Sequence, residues 1–305
     1  MQLSAHHPFR SAKAKEEYLA LYDRQAEQWP VTSESRMAET SYGRTFVRIS
    51  GAMDAPPLVL LPGASVNSLM WMPHIEAFSE CYRTYALDNI YDIGRSVHTR
   101  PLTTSRHYVS WLDELFTALG LGNQVCLMGA SFGGWQAGHY AVRFPNRLAK
   151  MVLVAPAGIV LPMRLEFFGR GIVAMLHRNL FRSLMFWMFE DFIRKGEASR
   201  RLAEEFVDDT LLALRSFKPR LAVAPTVLSD QELHGLQVPT LYIVGEHEKI
   251  YSPQKAIQRL NTIAPQIKTV MIPQAGHDLL RLQTGLINRM VVEFLQQPIH
   301  AGDSP

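Results

Sequence analysis

The stretch QVCLMGASFGG, residues 124–134, contains the pattern G-x-S-x-G at positions 129–133. It follows the apolar run VCLM and precedes a segment compatible with a helix. On a tight turn from strand to helix the serine takes strained backbone angles, and the flanking glycines let neighbouring backbone approach closely. The pattern also occurs by chance in glycine-rich chains, where the serine would only cap a helix. The preceding strand favours the other interpretation, in which Ser131 is a nucleophile.

Strands and helices alternate on both sides of this stretch. Each predicted strand is a short apolar run, and helix-compatible segments lie between most of them. Because short connections and right-handed crossovers favour neighbouring parallel strands, the alternation predicts a mainly parallel sheet flanked by helices. The predicted strands are RTFVRIS, PLVLLPG, YRTYALD, QVCLMG, MVLVAP, TLYIVG and KTVMIP. One amphipathic helix is predicted from about Asp278 to Leu295 after the last strand.

The alternation stops between Ala157 and Pro239, where Met, Phe and Trp are interspersed with Arg. This segment predicts a helical lid inserted before the penultimate strand. We therefore expect three parts: an N-terminal helix and lead-in over 1–41, a core over 42–157 and 239–305, and a lid over 158–238. Apolar lid residues fit simple helix packing, and they also fit a pocket for an acyl or aryl group. Met163 and Phe167 are the predicted substrate contacts.

A serine nucleophile needs a base and a carboxylate that orients the base. His277 in QAGHDLL follows the last predicted strand, so we expect it at the same edge of the sheet as Ser131. The loop GEHEKIYSP follows the strand TLYIVG and supplies Glu246 and Glu248. Glu248 is the predicted acid because its distance from the strand end lets the side chain turn back, whereas Glu246 is expected to cap the loop.

Hydrolysis through an acyl intermediate also needs donors for a developing oxyanion. We expect one donor to be the backbone N–H of Phe132, directly after the serine. The second is expected from the loop after PLVLLPG, where Ala64 follows Pro62 and Gly63. The same Pro-Gly pair is compatible with an ordinary turn.

The order Ser131, Glu248, His277 resembles that of the α/β-hydrolase superfamily from Tyr42 to Leu295. The stretches DAPPLVLLPGASVNSLMW, MGASFGGWQAGHYAVRFPNRL and VGEHEKIYSP are similar to bacterial carboxylesterases of the NP type. This resemblance implies an α/β-hydrolase fold, a Ser-His-Glu triad and hydrolysis of carboxylic esters (EC 3.1.1). One departure is Pro62, since most relatives have His-Gly at this turn. A serine at 131 argues against dehalogenases and epoxide hydrolases, which need a carboxylate nucleophile.

Composition limits the partners. The chain has 305 residues, 47% hydrophobic and 19% charged, with a net charge of +3, so we expect a folded globule without a nucleic-acid partner. Two long uncharged stretches, 55–75 and 115–142, contain several prolines or glycines, so no membrane span is predicted. Cys81 and Cys126 match no disulfide framework or zinc spacing, and the N-terminus has no apolar signal region. These features predict a cytoplasmic location.

Neither a metal nor a cofactor is expected. The consecutive residues Glu246, His247 and Glu248 do not point in one direction on a regular backbone, so they make a poor metal site. A small-molecule ester is the predicted partner, and the sequence leaves a homodimer open. Two other functions use the same residues: hydrolysis of a C–C bond in a diketone, and ligand reception on a hydrolase scaffold without turnover. The weakly polar lid favours esters.

Overall fold

The structure is a computed structural model that describes residues 3–220 and 223–298. Within these residues nine strands form one sheet. They are β1 (Ser33–Thr40), β2 (Gly43–Ser50), β3 (Pro57–Leu61), β4 (Arg83–Leu87), β5 (Val97–His98), β6 (Val125–Ala130), β7 (Leu148–Val154), β8 (Thr240–Gly245) and β9 (Lys268–Ile272). Eight of them lie in the order β1-β2-β4-β3-β6-β7-β8-β9, and β5 pairs with β2.

The sheet is parallel from β4 to β9, as the alternation of strands and helices predicts. Both faces of these strands are covered. In β3, Leu58 and Leu60 belong to one apolar cluster, whereas Val59 and Leu61 belong to the other. Successive side chains of a strand point to opposite faces, so a strand buried on both faces has a continuous apolar run rather than alternation.

Helices connect the strands, and several of them lie in the segment predicted to be a lid, which we call the lid segment (158–238). They are α1 (Ala12–Ala26), α2 (Met72–Ser79), α3 (Ser105–Ala118), α4 (Phe132–Arg143), α5 (Leu165–Ala174), α6 (Arg178–Met188), α7 (Glu190–Ile193), α8 (Glu197–Ser216), α9 (Asp230–His234), α10 (Pro253–Ile263), α11 (Leu279–Leu282) and α12 (Thr284–Gln296). Helices α5 to α9 lie between β7 and β8, which is where the lid is predicted. None of the helices in the described part of the chain is long and apolar enough to span a membrane.

Two local features differ from the sequence analysis. The lead-in contains β1, which pairs antiparallel with β2 along its whole length. Most of its side chains are exposed, so it lacks the apolar pattern that identifies the other strands. The prediction of one C-terminal helix is also wrong, because Gln283 leaves helical geometry (φ −127°, ψ 36°) and separates α11 from α12. The predicted division into three parts stays a prediction, and residues 1–2, 221–222 and 299–305 within it lie outside the described residues.

Candidate active site

Ser131 lies between the end of β6 and the start of α4. Its backbone has φ 51° and ψ −116°, outside the favourable regions for a residue with a side chain. The turn is fixed by neighbouring backbone: the Ser131 N–H donates to the carbonyl of Val154, and its carbonyl accepts from the N–H of Ala157. The surrounding chain therefore holds the strained serine in place, as expected where strain has a function.

The glycines on either side of Ser131 are required by close packing. A Cβ atom at Gly129 would lie 2.2 Å from the carbonyl oxygen of Gly133, and one at Gly133 would lie 2.2 Å from that of Leu61. Real Cβ atoms do not make contacts this short, so any side chain would push α4 away from β6 or β3. The physical reason for G-x-S-x-G is thus visible at both glycines.

The two loops that follow β8 and β9 are joined by backbone hydrogen bonds. The N–H of Glu246 donates to the carbonyl of Ile272 at 2.9 Å, and that of His247 donates to Ala275 at 2.8 Å. Gly245 allows this approach, because a Cβ there would lie 2.2 Å from the Ala275 carbonyl oxygen. The acid loop (246–250) and the histidine loop (273–278) therefore lie side by side at the carboxyl ends of their strands.

The structure brings Ser131, His277 and Glu248 into one hydrogen-bonded chain. His277 Nε2 lies 3.0 Å from Ser131 Oγ, and His277 Nδ1 lies 2.8 Å from Glu248 Oε2. The other carboxylate oxygen of Glu248 accepts from the N–H of Ile250 at 2.9 Å. Because a carboxylate only accepts, the Nδ1–H of His277 donates to Glu248 and Nε2 is left to accept the serine hydroxyl proton.

Glu246 has a different position. Its Oε2 accepts the backbone N–H of Gln274 at 3.0 Å on the protein surface. The side chain therefore bridges the acid loop to the histidine loop from outside, and it does not contact His277.

Burial and nearby carboxylates shift the pKa of the His277 imidazole. Burial of His277 lowers its pKa, but the charge of Glu248, the hydrogen bond to it and the charge of Asp278 outweigh burial, so the pKa lies above its usual value. Asp278 is buried, and its carboxylate accepts the N–H groups of Phe192 at 2.9 Å and Gly276 at 3.3 Å. Burial raises the pKa of Asp278. The sequence analysis did not identify this carboxylate, although it directly follows the histidine.

Of the two predicted oxyanion donors, Phe132 directly follows Ser131, and Ala64 follows a glycine that lies beside it. Phe132 is the first residue of α4, so its N–H has no carbonyl one turn earlier in the helix. Gly63 approaches the serine, since a Cβ placed there would lie 3.5 Å from Ser131 Cβ. Among the described residues, the backbone N–H groups of Phe132 and Ala64 have no backbone or side-chain acceptor. We call residues 62–65 the oxyanion turn.

The lid segment begins beside the acid loop. The N–H of Arg164 donates to the carbonyl of Ile250 at 2.7 Å. The half-buried side chains of Met163 and Phe167 pack against the same apolar cluster as Phe132. Their predicted contact with substrate stays a prediction, and the packing interpretation remains open beside it.

Helix α7 of the lid segment contacts both loops. Asp191 Oδ2 lies 3.0 Å from His247 Nδ1, and Lys249 Nζ contacts Glu190 and the carbonyl of Trp187. Phe192 donates to Asp278 from the same helix. The imidazole of His247 is therefore paired with a carboxylate of the lid segment. Within residues 3–220 and 223–298, no cluster of three or more His, Cys, Asp or Glu could hold a metal ion.

Comparison with known proteins places this geometry in a family. The sequence pattern of the alpha/beta hydrolase family matches residues 58–284. The chain belongs to the alpha/beta hydrolase family. The α/β-hydrolase fold predicted from the sequence is thereby confirmed.

Two curated relatives come from Bacillus subtilis strain 168. "Uncharacterized carboxylesterase nap" is 32% identical over 284 residues, covering 91% of both chains. "Carboxylesterase YbfK" is 31% identical over 290 residues, covering 94% of this chain and 96% of the relative. Naproxen esterase (carboxylesterase NP) of Bacillus subtilis has a solved structure with a TM-score of 0.85 at 31% identity, covering 97% of this chain and all of the other. The resemblance to NP-type carboxylesterases is confirmed.

Proposed function

We propose that this protein is a serine carboxylesterase that hydrolyses a small-molecule ester through an acyl-enzyme intermediate. The observation that carries the proposal is the hydrogen-bonded chain from Ser131 through His277 to the buried Glu248. The names of the relatives support the same chemistry.

In the proposed acylation step, the serine and the histidine act together. Ser131 Oγ attacks the ester carbonyl carbon while His277 Nε2, 3.0 Å away, takes the hydroxyl proton. Glu248 stabilises the imidazolium that forms and keeps the ring in the correct tautomer. The carbonyl oxygen becomes an oxyanion that accepts hydrogen bonds from the backbone N–H groups of Phe132 and Ala64. When the C–O bond to the alcohol breaks, His277 returns the proton to the leaving alkoxide and the acyl group stays on Ser131.

Deacylation repeats these steps with water. His277 takes a proton from the water, the hydroxide oxygen attacks the acyl carbon, and the bond to Ser131 breaks as the serine oxygen recovers the proton. The products are a carboxylic acid and an alcohol, and every proton is accounted for without a cofactor. Met163 and Phe167 are proposed to contact the acyl or aryl part of the substrate from the lid side.

Active-site titration with p-nitrophenyl acetate tests the proposal. An esterase releases p-nitrophenol continuously and, when deacylation is slow, with an initial burst of one equivalent per chain. A single burst without turnover would instead indicate a ligand receptor on a hydrolase scaffold. Failure to cleave any of a series of p-nitrophenyl esters, together with hydrolysis of a vinylogous 1,5-diketone, would favour the C–C hydrolase.

A further inference from the structure

The oxyanion turn is held by the polar loop that follows β4, residues 88–96. Asp88 Oδ1 accepts the N–H of Ser68 at 2.8 Å, just beyond the turn. At the other end, Asn89 Nδ2 donates to the carbonyl of Pro62 at 3.4 Å. Pro62 itself has neither an N–H nor a polar side chain. The turn therefore depends on groups from outside for its position.

Asp92 contacts the last residue of the turn. Its Oδ2 accepts the N–H of Ser65 at 2.9 Å. Ser65 has φ 57°, a left-handed conformation that is unfavourable for a residue with a side chain. A hydrogen bond from a backbone N–H to a carboxylate is one of the stronger kinds and offsets this cost. Because Ser65 directly follows Ala64, fixing the peptide between them also limits how the proposed oxyanion donor can rotate.

The lid segment supplies the partner of Asp92. Arg220, between α8 and α9, donates from Nη2 to Asp92 Oδ1 at 2.9 Å, and the same oxygen accepts the N–H of Ile93 at 2.7 Å. The side chains of Asp92 and Arg220 are only 12% and 15% exposed, so solvent screens this ion pair weakly. Burial raises the pKa of Asp92 above its usual value, although Arg220 and the two backbone N–H groups oppose that effect.

We propose that Asp92 is the positioning residue of the oxyanion turn and that Arg220 holds its carboxylate in place from the lid. The inference rests on the proposed esterase function. Asp92 contacts no reacting atom. It acts through Ser65 on the orientation of the Ala64 N–H, which stabilises charge only in the transition state. Asp92 and Arg220 are 128 residues apart in the sequence.

The first test is Asp92→Asn. An amide has one acceptor oxygen, so it cannot accept from Ser65 on one side and from Ile93 and Arg220 on the other. We expect kcat for p-nitrophenyl acetate to fall about 10- to 100-fold with KM within about threefold, because a displaced donor weakens transition-state stabilisation. The inhibition constant of a trifluoromethyl ketone, whose adduct with Ser131 carries an oxyanion, should rise by a similar factor.

Thr45→Val is the matched control. Thr45 is fully buried in β2, where its hydroxyl accepts from the indole N–H of Trp111 at 2.8 Å. This variant also loses a buried hydrogen bond, so we expect a lower melting temperature with unchanged kcat and unchanged ketone affinity. A purely structural role for Asp92 would make Asp92→Asn behave in the same way, and that result would overturn the proposal.

A second pair of variants decides the matter if Asp92→Asn does not fold. Arg220→Met removes the partner of the carboxylate and should lower kcat about tenfold, whereas Arg220→Lys keeps the charge and should restore kcat to within about threefold of the unmodified protein. An unchanged kcat in Arg220→Met would overturn the proposal. If the unmodified protein neither cleaves esters nor binds the ketone, the proposed function fails and the inference fails with it.

Discussion

Glu248 is buried, and its two carboxylate oxygens have different partners, the imidazole of His277 and the N–H of Ile250. Glu246, two residues earlier, is exposed, and its carboxylate accepts a backbone N–H of the neighbouring loop. A buried carboxylate can stabilise the charge that develops on the histidine, whereas water screens an exposed one. Substituting these two glutamates of one loop therefore compares a buried carboxylate directly with an exposed one.

Glu248→Gln should lower kcat by about ten-thousandfold, since the amide lacks the charge and favours the wrong histidine tautomer. Glu246→Gln should lower kcat less than about threefold, because the amide oxygen still accepts the N–H of Gln274. Steady-state kinetics on one activated ester, with circular dichroism as a check of folding, measures both variants. The acid assignment is wrong if Glu246→Gln is the damaging change.

The raised pKa of His277 predicts a pH dependence. The base must be neutral to accept a proton, so kcat/KM should fall as pH drops through the pKa of His277, which lies above its usual value of about 6.5. The charge of Asp278 contributes to this rise. Asp278→Asn should therefore move the acid limb of the profile toward lower pH.

A pH series of kcat/KM on p-nitrophenyl acetate measures that shift, with Glu246→Gln as a control that keeps the limb in place. Because Asp278 also accepts the N–H groups of Phe192 and Gly276, the variant loses stability as well. Melting temperature reports that loss separately. An acid limb that stays in place or moves to higher pH would contradict the stated cause.

Among the elements, the lid meets the site through short contacts at its start and at α7. Arg164 bonds the acid loop at its backbone, and Asp191 and Phe192 bond the acid and histidine loops. Two helices, α5 and α6, lie between these contacts, and in α5 the apolar side chains of Leu165 and Ile172 are 87% and 62% exposed. Between Arg164 and α7, the contacts to the acid and histidine loops therefore lie at the two ends of this stretch.

Replacing Met163 or Phe167 by Ala should change chain-length preference. These side chains are half-buried and pack against the same apolar cluster as Phe132. Truncation therefore removes apolar surface that longer acyl groups would contact. We expect kcat/KM for p-nitrophenyl octanoate to fall about tenfold relative to the acetate. Ile172→Ala, on the exposed face of α5, serves as a control with little effect on either ester. Equal losses on both esters would favour simple packing.

In the whole molecule, the parallel sheet was predictable because its strands are buried on both faces and bounded by turns. The run PLVLLPG predicts a strand buried on both faces, and the glycines around Ser131 predict close approach of neighbouring backbone; both features appear in the structure. The position of Glu248 was predictable as well, since parallel strands place their following loops at one edge.

Other features had no readable signal. Strand β1 is largely exposed, so its side chains lack the apolar pattern that predicts a strand. It is held in the sheet by its backbone pairing with β2. The pair of Asp92 and Arg220 joins a loop of the core to the lid across 128 residues, and neither residue stands out from its neighbours. Such contacts depend on the packing of lid against core, which local patterns do not encode.

The central claim is that Ser131 carries the acyl group. Its most direct test is mass spectrometry of acid-quenched protein after brief mixing with a p-nitrophenyl ester, on the unmodified chain and on Ser131→Ala. We predict one acyl adduct on the peptide that contains Ser131, no adduct in the variant, and a loss of more than a thousandfold in kcat without loss of fold. Turnover retained in purified Ser131→Ala, or an acyl group on another residue, would contradict the account.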